Sequence, residues 1–262
     1  QIDSLMKSSH EIGIFNGNVL VAKNNKIIYN ASFGFTDVTK TNKLTTDYRF
    51  NIGSITKEFS AVALLQLKEQ GKLKMDDKVS KFIAELPKWA NEVSIKDLLQ
   101  YTSGIPNVNW KNIKNDKDLF NGLMVVDSLD FKPGTAYDYN NNNLFLRQFI
   151  VERVTKMPFK EYVEKFIFKP CQMNSSVMTP FENEEKIAKG FNNNLVPDKP
   201  DLPITGGTYL TTTDLLQWAN CLHQNKIINK KSLYELGQHF DLPETQSSLG
   251  QAKFKNENLS EH

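Results

Sequence analysis

The apolar positions of this chain fall first into short runs between turn residues and then into helical spacing. Asn18-Val19-Leu20-Val21-Ala22 and Lys26-Ile27-Ile28-Tyr29 flank Asn24-Asn25, the pattern of a β-hairpin, and Gly34 closes its second strand. From about Ser54 to Gln70, Ile55, Phe59, Val62 and Leu65 recur at helical spacing, and Gly71 supplies the stop. Ser94 with Asp97 forms a capping-box pattern ahead of Leu98-Leu99. A helix is expected over Leu144 to Val154, and Phe159, Tyr162, Val163, Phe166 and Ile167 form an apolar stripe after Pro158. Thr211 with Asp214 opens a helix carrying Leu215, Trp218, Ala219 and Leu222. Little between about residues 75 and 235 reads as strand, and no convincing strand follows before His262. The pattern predicts an N-terminal hairpin and a mainly helical body. A lone hairpin is marginally stable and needs further strands or a covering helix.

The length, 262 residues, allows one large domain or two small ones. A chain of this size buries roughly three quarters of its unfolded surface, so it can build its own core. Hydrophobic residues at 39% and charged residues at 24% are an ordinary globular balance, which excludes whole-chain disorder and fibrous repeats. There is no internal repeat or low-complexity linker. The net charge of +2 excludes nucleic-acid binding through a general basic footprint. The longest apolar stretch, Phe59 to Leu67, falls well short of the ~20 residues that span a bilayer, so no transmembrane segment is expected. The chain opens at Gln1 with no initiator Met and no signal-peptide pattern, which reads as a processed or engineered fragment. Two cysteines, Cys171 and Cys221, exclude a disulfide scaffold and a Cys-rich zinc site; two free, partly buried thiols are expected rather than one bridge.

Candidate chemistry begins at Ser54-Ile55-Thr56-Lys57. A serine and a lysine three apart at a helix start share one face. Burial would strip the lysine of solvation and favour its neutral amine, which can take the hydroxyl proton and make the serine a nucleophile. The helix N-terminus adds a positive end where an oxyanion would develop. The spacing alone says little, because chance supplies about two such pairs in a chain of this composition. Two occur, and Ser4–Lys7 has no apolar approach, whereas Ser54–Lys57 follows Phe50-Asn51-Ile52-Gly53 and opens a long helix. The bland alternative is a helix cap and a solvated lysine.

Tyr139-Asn140-Asn141 follows the turn residues Pro133-Gly134 and is the chain's single Tyr-x-Asn. A phenol beside a lysine ammonium could relay protons, and the Asn141 amide could orient the lysine or bind a substrate carbonyl. The alternative is a turn tyrosine and an asparagine cap. His10, His223, His239 and His262 are scattered without metal-ligand spacing, and no Gly-x-Ser-x-Gly elbow or P-loop occurs.

In order and context these pieces resemble the serine β-lactamase and penicillin-binding protein superfamily, most closely its class C β-lactamase-like branch with its esterases, D-amino-acid peptidases and DD-peptidases. The resemblance rests on six collinear stretches: Gly17 to Val21, Tyr48 to Lys57, Gln70 to Asp77, Ile95 to Ile105 with Tyr101 in place of the usual His, Pro133 to Asn141, and Gly206 to Asp214. It implies an α+β fold of the β-lactamase/transpeptidase kind, an antiparallel sheet flanked by helices with an inserted all-helical subdomain. Residues 1–74 would hold the hairpin and nucleophile helix, 75–200 the helical subdomain, and 201–262 the return to the sheet. It further implies a serine hydrolase with Ser54 as nucleophile, Lys57 and Tyr139 as a coupled proton-transfer pair and Asn141 as a substrate-binding or lysine-orienting amide. The substrate would be a small molecule or peptide bearing an ester, peptide or β-lactam carbonyl, with no cofactor or metal, and the location periplasmic or secreted. The family's third motif, a Lys- or His-x-Gly on a late strand, has no match after Asp214, so the final strands are expected to be missing from this chain. A catalytically degenerate member that binds peptidoglycan-like peptides or a protein partner without turnover is the alternative.

Overall fold

The computed structural model describes residues 1–180, 184–198, 206–242 and 245–262, so the expected boundary at 200/201 lies outside the described residues. In chain order the elements are α1 (Ile2–Glu11), β1 (Gly17–Lys23), β2 (Lys26–Phe33), β3 (Phe50–Asn51), α2 (Thr56–Glu69), α3 (Ile95–Gln100), α4 (Asp116–Met124), α5 (Asn141–Thr155), α6 (Phe159–Val163), β4 (Val177–Met178), β5 (Thr208–Leu210), α7 (Thr212–His223), α8 (Lys230–Leu236), β6 (Lys253–Lys255) and β7 (Asn258–Glu261). The chain divides into two compact units, one of Gln1–Gly53, Gln172–Leu202 and Gly207–Asn220, the other of Ser54–Cys171, Pro203–Gly206 and Cys221–His262.

In the first unit β1 and β2 pair antiparallel from Gly17↔Phe33 to Lys23↔Lys26, with an irregularity between Val21 and Ala22. The tight turn works because Asn24 and Asn25 both adopt positive φ, 50° and 59°, which asparagine tolerates better than other non-glycine residues. Helix α1 touches β2, where the Tyr29 hydroxyl donates to Asp3. The second sheet, in the order β3-β5-β4, is antiparallel throughout. Asp214 ties it to α7: its backbone N–H donates to Thr211 Oγ1, and its carboxylate accepts from Ser175 N–H and Ser176 Oγ, each at 2.8 Å.

The second unit is built around α2. Every residue from Thr56 to Leu67 is buried. A helix covered on all sides needs partners for its polar groups. Ser60 Oγ donates to the Lys57 carbonyl, and Gln66 donates to the carbonyls of Phe166 and Ile227 while accepting from the Tyr162 hydroxyl. Burial pushes that phenol up to about 12. Helix α2 packs against α5, α6 and α8, and Lys68 pairs with Glu235 of α8. The capping box of α3 forms as expected between Ser94 and Asp97.

Three expectations are corrected. Strands do follow the N-terminal hairpin: β3, β4 and β5, and an antiparallel β6–β7 pair at the end of the chain. Elements of two to four residues are too short to display a period. Phe166 leaves the apolar stripe and is 38% exposed, because the chain passes from α6 into a wider π-helical turn over Glu164–Phe168. Cys171 and Cys221 are bonded to each other, with Cα atoms 5.5 Å apart, and are not free thiols. Closing a loop of this length contributes about 2–5 kcal/mol, and a spacing of 50 residues hides such contacts from the sequence.

Candidate active site

A 3₁₀ turn over Gly53–Ile55 leads into α2 and carries Ser54 at its centre. Gly53 has φ +53°, a left-handed conformation that suits glycine, and its N–H donates to Asn51 Oδ1. The serine is exposed and makes no side-chain cap, whereas Lys57, one turn on, is 8% exposed. Lys57 Nζ stands 3.0 Å from Ser54 Oγ. Burial is the largest influence on this lysine and pulls its pKa below the ordinary value; Tyr101 opposes the shift and the charge of Arg147 adds to it. The positive end of α2 lies at the same place.

Tyr101 caps the C-terminus of α3 in the left-handed region, φ 58°, and its ring is almost wholly buried. The chain then turns at Gly104, where a Cβ would meet the Phe131 carbonyl oxygen at 2.2 Å, so only glycine fits. Asp138 N–H donates to the Tyr101 carbonyl, which brings the 137–139 segment alongside. The Tyr139 ring lies 4.6 Å from the Tyr101 ring and 5.1 Å from Lys57 Nζ, centroid distances that place an aromatic face near the lysine. No hydrogen bond joins the Tyr139 hydroxyl to Ser54 or Lys57 among the described residues.

The asparagine run after Tyr139 has its own logic. Asn140 is the N-cap of α5: its Oδ1 accepts from Asn142 N–H, and its Nδ2 donates to the Ile105 carbonyl and to Asp138. Asn142 Nδ2 reaches the Pro106 carbonyl. Asn141 is the first residue of α5 and half-buried. It does not line the cavity over Ser54, and no hydrogen bond joins it to Lys57.

That cavity, about 190 Å³, is lined by Ser54, Ile55, Lys57, Glu58, Tyr101 and Tyr139 and by the segment Gln246, Ser247, Ser248 and Gly250. Sequence reasoning passed over this segment. It is a tight turn in which Ser247 and Gly250 exchange backbone hydrogen bonds, anchored by Ser248 Oγ on the Leu99 carbonyl and by Gln246 N–H on the Tyr137 hydroxyl. Its only sequence signal is a cluster of small polar residues ending in glycine. Glu58 is taken up by His262 at 3.1 Å. Burial alone would lower that imidazole's pKa; the hydrogen bond and charge of Glu58 overcome it and hold it above the ordinary value.

The arrangement can activate a hydroxyl for attack on a carbonyl: an exposed oxygen, a desolvated amine within hydrogen-bond reach and a helix N-terminus beneath. Residues 2–256 match the family model described as Beta-lactamase. The protein flp of Staphylococcus aureus (strain MRSA252) is 30% identical over 236 residues, 83% of this chain and 47% of that protein. PbpX of Bacillus subtilis (strain 168) is 29% identical over 234 residues, 85% of this chain and 58% of that protein. The chain thus spans about half the length of the curated relatives it matches. Among solved structures, a penicillin-binding protein from Bacillus halodurans superposes with a TM-score of 0.84 at 27% identity, over 97% of this chain and 84% of that one. A class C β-lactamase in complex with cefoxitin shares the fold, with a TM-score of 0.75 at 23% identity over 90% of this chain and 68% of that one. No helix among the described residues is long and apolar enough to cross a membrane.

Proposed function

This chain belongs to the β-lactamase family, and we propose that it is a serine hydrolase forming an acyl-enzyme on Ser54. The observation that carries the reading is the 3.0 Å approach of Lys57 Nζ to Ser54 Oγ with the lysine buried and the serine exposed. Ser54 Oγ attacks the substrate carbonyl while Lys57 takes the hydroxyl proton. The negative charge passes to the carbonyl oxygen at the N-terminus of α2, with the Ser54 N–H as one donor. Collapse breaks the bond to the leaving group, which receives the proton from Lys57. Water then cleaves the acyl ester and restores Ser54. Lys57, not Tyr139, is the base in this scheme. The Tyr139 ring steadies the ammonium that forms on Lys57, since an aromatic face attracts a cation. Asn141, half-buried at the start of α5, is the candidate for contacting substrate beyond the cavity.

The substrate class is a small molecule or peptide with an ester, D-peptide or β-lactam carbonyl, and the location is outside the cytoplasm. The Cys171–Cys221 bridge favours an oxidising compartment. The test is turnover of an aryl ester, a D-alanyl-D-alanine peptide and a chromogenic cephalosporin by wild type and Ser54→Ala. Turnover of at least one that vanishes in the variant is expected, and turnover that survives in the variant overturns the assignment. Specific binding of the peptide with no turnover of any substrate favours the non-catalytic alternative.

A further inference from the structure

Arg147, on α5, is completely buried. No carboxylate pairs with it among the described residues. Nη1 reaches Ser248 Oγ at 3.5 Å, and Nε and Nη2 have no hydrogen-bond partner among the described residues. Burying a guanidinium without an anion is costly. The carboxylates nearby are committed elsewhere: Glu58 of α2 to His262, Asp97 of α3 to Ser94 and Thr102, and Asp138 to Asn140. What holds Arg147 is an aromatic ring: its Cζ lies 4.7 Å from the centroid of Tyr101. Tyr101 contacts Tyr139 at 4.6 Å and Tyr137 at 6.0 Å, and Tyr139 lies 5.1 Å from Lys57 Nζ. A continuous series of contacts, Arg147–Tyr101–Tyr139–Lys57, therefore runs from a hidden cation to the amine beside Ser54. Ser248, which touches Arg147, lines the same cavity as Ser54.

We propose that Arg147 is a positioning residue for this site: its buried, uncompensated charge, seated on Tyr101, biases Lys57 toward the form that accepts the Ser54 proton. The proposal rests on the reading of Ser54 and Lys57 above. Two cations in one poorly solvated region disfavour each other's charge, and a guanidinium does not give up its proton, so the lysine yields. The titratable and charged groups around Lys57 are Ser54 and Glu58 of its own segment, with His262 on Glu58, Tyr101 after α3 and Tyr139 before α5, while Arg147 of α5 stands behind Tyr101. With Glu58 engaged by His262, Arg147 acts on the amine as a charge with no counterion among the described residues. The direction found for Lys57 agrees, with Arg147 among the influences that lower its pKa.

The experiment follows Lys57 in wild type, Arg147→Met, Arg147→Gln and Arg147→Lys by two readouts. One is the pH dependence of covalent labelling by a fluorophosphonate. The other is titration of the Lys57 Cε resonance, assigned with Lys57→Arg, which does not depend on activity. In the neutral variants both midpoints should rise by about one pH unit. Labelling at low pH should then fall about tenfold while the high-pH plateau is kept. Arg147→Lys should give midpoints between those of wild type and the neutral variants, because a buried lysine, unlike a guanidinium, can shed its own proton. A folded neutral variant with unchanged midpoints overturns the proposal. If neither neutral variant folds, a wild-type Lys57 titrating at the ordinary lysine value overturns it alone. Absence of labelling in wild type would instead strike the reading of Ser54, and the resonance titration would still decide the role of Arg147.

Discussion

The chain contains the same four-residue pattern twice, and the two copies have opposite chemistry. Ser4 and Lys7 lie on α1, where Lys7 pairs with Asp3 at 2.7 Å with side chains 63% and 52% exposed. The hydrogen bond to Asp3, then its charge, raises the pKa of Lys7 and holds it protonated. Ser54 and Lys57 have the same spacing, yet Lys57 is buried, its hydrogen bond goes to the serine and its pKa is lowered. A lysine is a proton acceptor only when its neutral form is accessible, so burial, not spacing, is what would let Lys57 serve a nucleophile where Lys7 forms a surface ion pair.

Substitutions can break this contrast. Ser54→Ala should remove turnover and labelling altogether, a loss of up to about 10⁶-fold by analogy with other serine nucleophiles, whereas Ser4→Ala should leave both unchanged in the same assays. Lys57→Met should slow acylation by about 10²–10⁴-fold, the usual worth of a positioned base, and stopped-flow labelling would show it. Lys7→Met should not alter the rate. At Tyr139 the contrast sharpens, because the ring and the hydroxyl can be separated. Tyr139→Phe keeps the aromatic face and should label within about twofold of wild type, while Tyr139→Leu should lose about three- to tenfold. A large loss in Tyr139→Phe would instead give the hydroxyl a proton-transfer role.

The smallest effect is on stability, and its sign differs between the two lysines. The folded pKa of Lys57 lies below its unfolded value, so the unfolded chain binds more protons between them and stability rises with pH there. Below the folded pKa the native state carries the full penalty of a buried charge. Lys57→Met should therefore raise the thermal midpoint at neutral pH, and the gain should fade as pH approaches the ordinary lysine value of 10.5. The folded pKa of Lys7 is raised, so whatever it contributes is present below its unfolded value and is lost as pH rises through the folded one. Lys7→Met should show no stabilisation at neutral pH by the same calorimetric scan.

The sequence carried what is local. The Asn24-Asn25 turn, the Ser94–Asp97 capping box, the Thr211–Asp214 start and the Gly71 stop depend on neighbours within a few residues, and each forms. Ser54 and Lys57 could be found because one helical turn separates them. What stayed hidden depends on distant partners. The Cys171–Cys221 bridge, the 246–250 wall of the cavity and the two- to four-residue strands have no period and no nearby signal. The Asn140-Asn141 pair divides in a way that composition could not foresee, Asn140 capping α5 and Asn141 lying outside the cavity lining. Arg147 was invisible as chemistry, because an arginine in a helix reads as a surface charge, as Arg153 on the same helix is, until its burial is known.

The most direct test is the intact mass of the full chain after exposure to a fluorophosphonate, for wild type, Ser54→Ala and Ser4→Ala. A buried amine activating Ser54 predicts one adduct on wild type and on Ser4→Ala, and none on Ser54→Ala. An adduct that persists in Ser54→Ala, or a wild type that stays unlabelled up to the pH at which lysines ordinarily lose their proton, would contradict it.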